Sequence, residues 1–82
     1  MEKGEIKQIG DYIKDLEEGL YEWDYDRIAM QTEWAYLYKI IQRLMDATFK
    51  TKDQDLKPLL AFMELKARKC KECIEQRLAM NN

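Results

Sequence analysis

Three apolar stripes, each stepping by three and four residues, confine this chain to helices. Ile6, Ile9, Ile13, Leu16 and Leu20 form the first. Met30, Trp34, Leu37, Ile41, Leu44 and Thr48 form the second, and Leu56, Leu60, Met63, Ala67, Cys70 and Ile74 the third. Such steps put side chains on one face of an α-helix. No segment alternates like a strand, and the chain lacks Val, whose branched Cβ favours strands. The stripes predict an all-α protein: one domain of 82 residues, an antiparallel three-helix bundle with a long hairpin of helices 2 and 3. The helices are expected over about 3–20, 25–49 and 56–80. The same stripes also suit a dimer in which two hairpins build a four-helix core and helix 1 packs outside.

Local signals agree with these limits. Asp24 or Asp26 stands where helix 2 needs an N-cap, and Asp55 and Pro58 mark the start of helix 3. Gly19 is placed to stop helix 1. Gly10 costs roughly 1 kcal/mol against Ala in a helix interior, so it reads as a place of close approach.

Counting levels from the turns sharpens the packing. Leu20 beside Ile28 sets Ile6 beside Gln42, and Phe49 beside Leu56 sets that level near Met63. Helices 2 and 3 then outrun helix 1 by roughly 10 Å, at about 1.5 Å per residue. The expected result is an uncovered apolar tip carrying Met45, Phe49, Leu56, Leu59 and Phe62, with Met1 to Glu5 as its partial cover. Trp34 and Tyr38 lie on or beside the stripe and read as core. Tyr36 and Ile40 point elsewhere, and with Tyr21, Trp23 and Tyr25 they make helix 2 apolar around most of its circumference. A helix apolar on several sides is covered on several sides. Trp23, Tyr25, Tyr36, Ile40, Met45, Phe49, Leu59 and Phe62 are therefore the expected protein interface, and a homodimer the expected assembly.

Charge divides along the chain. Residues 1–35 hold ten acids and four bases, and residues 36–82 six acids and ten bases, for a net charge of −2. An acidic helix 1 beside a basic helix 3 is complementary, with Asp11 and Asp15 expected at the level of Arg68 to Glu72. Lys66, Arg68, Lys69 and Lys71 form a basic stretch that could meet phosphate. Its overall acidity and the lack of interleaved aromatics point instead to a solvated face.

The chain carries little catalytic equipment. Without His or Ser it can form neither a Ser-His-Asp triad nor a Cys-His pair. Its scarce glycines form no phosphate-cradling loop. Cys70 and Cys73 make a CxxC motif, but it sits deep in a helix rather than at the N-terminus of one, where the dipole would lower a thiol pKa. Alone it supplies two of the four ligands of a zinc site. The carboxylates Glu17, Glu18, Glu33, Asp46 and Glu64 are not spaced to converge on magnesium. No catalytic, cofactor or metal residues are expected. No apolar run nears the roughly 20 residues of a membrane span, and charges from Glu2 onward break any leader pattern, so a cytoplasmic protein is expected. The expected function is a non-enzymatic module that binds another protein, as an adaptor or inhibitor, of the size phages and mobile elements use for accessory proteins. Nucleic-acid binding by helix 3 is the alternative.

Overall fold

A computed structural model describes residues 1–19 and 26–80. It contains three helices: α1 over Lys3–Gly19, α2 over Arg27–Lys50 and α3 over Leu56–Met80. Leu20, Tyr21, Trp23, Asp24 and Tyr25 lie outside the described residues. No helix among the described residues is long and apolar enough to cross a membrane.

The helix ends follow from side chains that satisfy free backbone groups. Asp26, in an extended conformation, accepts the Ile28 N–H at 2.9 Å and caps α2. Thr51 turns the chain extended after α2, and its N–H still reaches the Ala47 carbonyl. The cap of α3 is a correction. Asp53, not Asp55, accepts the N–H groups of Asp55 (2.9 Å) and Leu56 (3.3 Å). Its carbonyl also receives the Lys57 N–H, so the helical hydrogen bonding begins there. Pro58 falls in the first turn, where its missing N–H costs nothing.

The stripes meet in one core. Ile9, Ile13 and Leu16 come from α1, Met30, Leu37, Ile40, Ile41 and Leu44 from α2, and Leu60, Met63, Ala67, Cys70 and Ile74 from α3. Met30, Leu37, Leu44, Leu60 and Ile74 are almost wholly enclosed. α2 and α3 pack closely, while the backbone of α1 lies nearer α3 than α2. The residue sizes explain this. α1 meets α3 with Gly10 over the end of the Met63 side chain, but meets α2 through long side chains. Tyr12 sits edge-on to Tyr36 at 4.7 Å between centroids and donates its hydroxyl hydrogen to Glu33. Glu5 pairs with Arg43. These pairs run antiparallel, and their register matches that counted from the turn.

The level against α3 differs from the count. Gly10 faces Met63, and Glu17 pairs with Lys66 at 3.6 Å. Their offsets of 53 and 49 residues replace the expected 57 and slide α1 toward the hairpin tip by roughly 6–12 Å. Asp11 thus lines the same groove as Leu59, Phe62 and Lys66 rather than standing at the level of Arg68 to Glu72. Met1 reaches a hollow lined by Arg43, Ala47, Lys50, Thr51 and Leu56, so it covers part of the expected overhang, while Met45, Phe49, Leu59 and Phe62 stay exposed.

The bundle is a rod of 44 × 18 × 16 Å. It exposes 6018 Å², against roughly 5,200 Å² for a compact monomer of its mass.

Candidate functional site

The azimuth of each side chain around α2 sorts the aromatic residues. Arg43 and Tyr36 face α1 through their contacts with Glu5 and Tyr12. Ile40, one turn from Tyr36, is only 3% exposed. The cover expected from a second subunit thus comes from α1, and Ile40 is a core residue rather than part of an outer interface. Tyr36 remains half exposed at its edge.

Tyr38 changes role in the opposite sense, whereas Trp34 stays partly buried against the core, as its place on the stripe predicts. They stack at 5.9 Å on the side of α2 turned away from α1, and Tyr38 is half exposed. The Trp34 indole N–H donates to Glu75 at 2.9 Å, and Lys71 lies over its ring at 5.3 Å. Glu75 also pairs with Lys71 at 2.9 Å. These two donors, the Trp34 N–H first, hold the Glu75 carboxyl below its usual range. The cluster ties α2 to α3 on the face that α1 leaves open.

The predicted tip is two surfaces, not one. Met45 lies two residues beyond Arg43 and so about 200° around the helix from the α1 side. The guanidinium of Arg68 reaches its sulfur at 3.1 Å, and Phe49 follows one turn on, 88% exposed. Leu59 and Phe62 instead border the groove between α1 and α3, while Leu56 packs against the core. Leu65, half exposed one step beyond Phe62, extends them into a row at i, i+3 and i+6. It escaped the sequence reading because it lies off the core stripe, although its three-residue spacing from Phe62 was a usable signal. Trp23 and Tyr25 lie outside the described residues.

The α1–α3 groove has a volume of about 510 Å³, with Ile6, Gly10, Ile13 and Met63 in its lining and Lys7, Lys14, Asp11 and Glu18 among its charged residues. Charge of both signs at the rim favours a mixed partner surface over a polyanion.

The basic stretch is already engaged. Lys66 pairs with Glu17 and covers the Phe62 ring at 5.0 Å. Arg68 donates to Glu64 at 3.0 Å as well as meeting Met45. Lys71 is held by Glu75 and Trp34, and Lys69 is exposed.

Cys70 and Cys73 are free thiols. Burial, aided by the charges of Glu17 and Cys73 and opposed by Lys66, pushes the Cys70 thiol up to about 11. It is therefore protonated near neutral pH, the reverse of an activated nucleophile. Burial also raises the Glu33 carboxyl, which receives the Tyr12 hydroxyl. Among the described residues no three Cys, Asp or Glu side chains gather to hold a metal. No known protein family, curated protein or solved structure matches the chain.

Proposed function

We propose that the protein is a non-catalytic interaction module, an adaptor or inhibitor, that takes an amphipathic helix of another protein along α3. The observation that carries this reading is the row Leu59, Phe62 and Leu65. All three are about half exposed at three-residue spacing, and Leu59 and Phe62 also line the groove with Ile6, Gly10, Ile13 and Met63. Rows at i±3 are the ridges on which helices pack, and a groove beside such a ridge receives apolar anchors from a facing helix. Rim charges of both signs suit a partner with its own mixed polar edge. The engagement of Lys66, Arg68 and Lys71 weighs against nucleic acid, because binding phosphate would cost their present contacts.

The test is capture from a lysate of the source cell with immobilised wild-type protein, Phe62→Asp and Leu65→Asp. A protein held by the wild type and lost with both variants is the expected result. Equal capture by all three would refute the site. Capture that disappears with nuclease, and with Lys66→Glu plus Lys69→Glu, would replace the reading with nucleic-acid binding.

A further inference from the structure

α2 carries a second stripe, distinct from its core stripe. Ile28, Gln31, Ala35, Tyr38, Gln42, Met45 and Phe49 step by three and four without a break. None of the seven is buried, and Phe49, at 88%, is the most exposed large apolar side chain among the described residues. A heptad seam on a helix face without cover is the pattern by which two helices wind together. We propose that the face of α2 from Tyr38 to Phe49 binds a second copy of this chain, α2 against α2, antiparallel about a two-fold axis.

Sterics and charge lead to the same register. The positions Ala35, Tyr38, Lys39 and Gln42 are i, i+3, i+4 and i+7, the four corners of a hole for one incoming side chain. Small Ala35 leaves that hole deep enough for a ring. Placing Phe49 of one copy there sets it against Tyr38 of the other, and Gln42 against Met45. Both pairs have their midpoint between residues 43 and 44. Charge gives an independent reading. Lys39 and Asp46 are exposed, seven residues apart, and flank the seam on one side. An antiparallel pair places each Lys39 opposite the other copy's Asp46, with a midpoint between residues 42 and 43. The two midpoints agree within one residue. A parallel pair would instead carry the two copies' Lys39 and Asp46 side chains on opposite flanks of the seam, where they could not pair. Lys39 has no ion-pair partner among the described residues, and the Asp46 carboxylate, paired at 3.1 Å with Lys50 of its own helix, is still largely exposed. A two-fold interface uses the same patch on both copies, so each contact occurs twice.

The seam is short, so the dimer is weak, with a dissociation constant of roughly 1–100 µM. It leaves Leu59, Phe62 and Leu65 uncovered, so it neither needs nor excludes the partner site on α3. Sedimentation equilibrium of the purified protein from about 10 µM to 1 mM spans this range. The expected mass rises from the 9.9 kDa of one chain toward twice that value. Phe49→Asp should abolish the rise with an unchanged helical circular dichroism signal, because Phe49 touches little of its own chain. Lys39→Glu and Asp46→Lys should each weaken association at least tenfold. The double variant Lys39→Glu with Asp46→Lys should restore it to within a few-fold. A monomer throughout, a dimer indifferent to Phe49→Asp, a dimer lost with Phe62→Asp, or failure of the charge swap to rescue would each overturn the proposal.

Discussion

Replacing Gly10 with Ala should stabilise the protein by about 1 kcal/mol. Gly10 lies in the middle of α1, where Gly is roughly 0.8–1.0 kcal/mol worse than Ala because it loses more backbone freedom on folding. The sign depends on whether a methyl group fits. A Cβ built at Gly10 meets only the Met63 Cε, at 3.9 Å, an ordinary contact with the far end of a flexible side chain. Nothing has to move, so the helix gain is not spent on strain. The expectation from sequence that Gly10 serves close approach is thereby corrected: the gap is filled by a mobile methionine tip rather than by backbone. For a domain of this size 1 kcal/mol corresponds to a rise in Tm of roughly 4–8 °C. The assay is urea unfolding followed by circular dichroism, with an unchanged slope showing that the transition stays two-state. Gly4→Ala is the control. Its Cβ meets nothing within 4 Å, and it lies in the first turn of α1, so its gain should be below about 0.5 kcal/mol. A loss of stability at Gly10→Ala would mean that α1 and α3 approach more closely than described and that the glycine is needed for packing.

Three further outcomes follow from the core and its titrating groups. Leu37→Ala, at a fully buried position, should cost about 2–5 kcal/mol. That is a large part of the roughly 4–12 kcal/mol a chain of this length commands, and thermal melts that barely shift would contradict the core. In a Cys73→Ala background, Cys70 should react with a disulfide reagent at pH 8 at least 100-fold more slowly than an unfolded thiol, since its pKa is raised to about 11. Labelling at the unfolded rate would show the thiol to be open. Glu33 has its pKa raised in the folded state above the usual 4.5 by burial. Its contribution to stability is therefore full below 4.5 and is lost as pH rises through the folded pKa. Glu33→Gln should remove that decline from unfolding curves measured across the window, and an unaltered pH profile would refute the assignment.

The helices and most of the core were legible in the sequence, because spacing by three and four is a local property that survives any tertiary arrangement. Twelve of the thirteen buried residues, all but Ile40, stood on the three stripes. Antiparallel order against α2 was legible too, since the few residues between the first two stripes fix the level counted from the sequence, and the Glu5–Arg43 and Tyr12–Tyr36 pairs keep it. The cap of α3 was misplaced by two residues because both Asp53 and Asp55 satisfy the composition of a cap, and only backbone geometry chooses between them.

What the sequence by itself determined is which face of each helix turns inward. Which of the remaining faces is covered was decided only by tertiary structure. α2 offers two flanks, Tyr36 with Ile40 and Trp34 with Tyr38; periodicity marks Trp34, which does pack on the core, but gives no sign that Ile40 is covered as well. Tyr12 docks edge-on to Tyr36, and Glu5 reaches Arg43 on the same flank. α1 therefore covers Ile40, while Trp34 and Tyr38 are left on the open side with Glu75 and Lys71. The same choice separates Met45 and Phe49 from Leu59 and Phe62. A stripe encodes burial through its own spacing, but the azimuth at which a third helix docks depends on side-chain fit between distant segments, and that fit exists only once the helices are in contact.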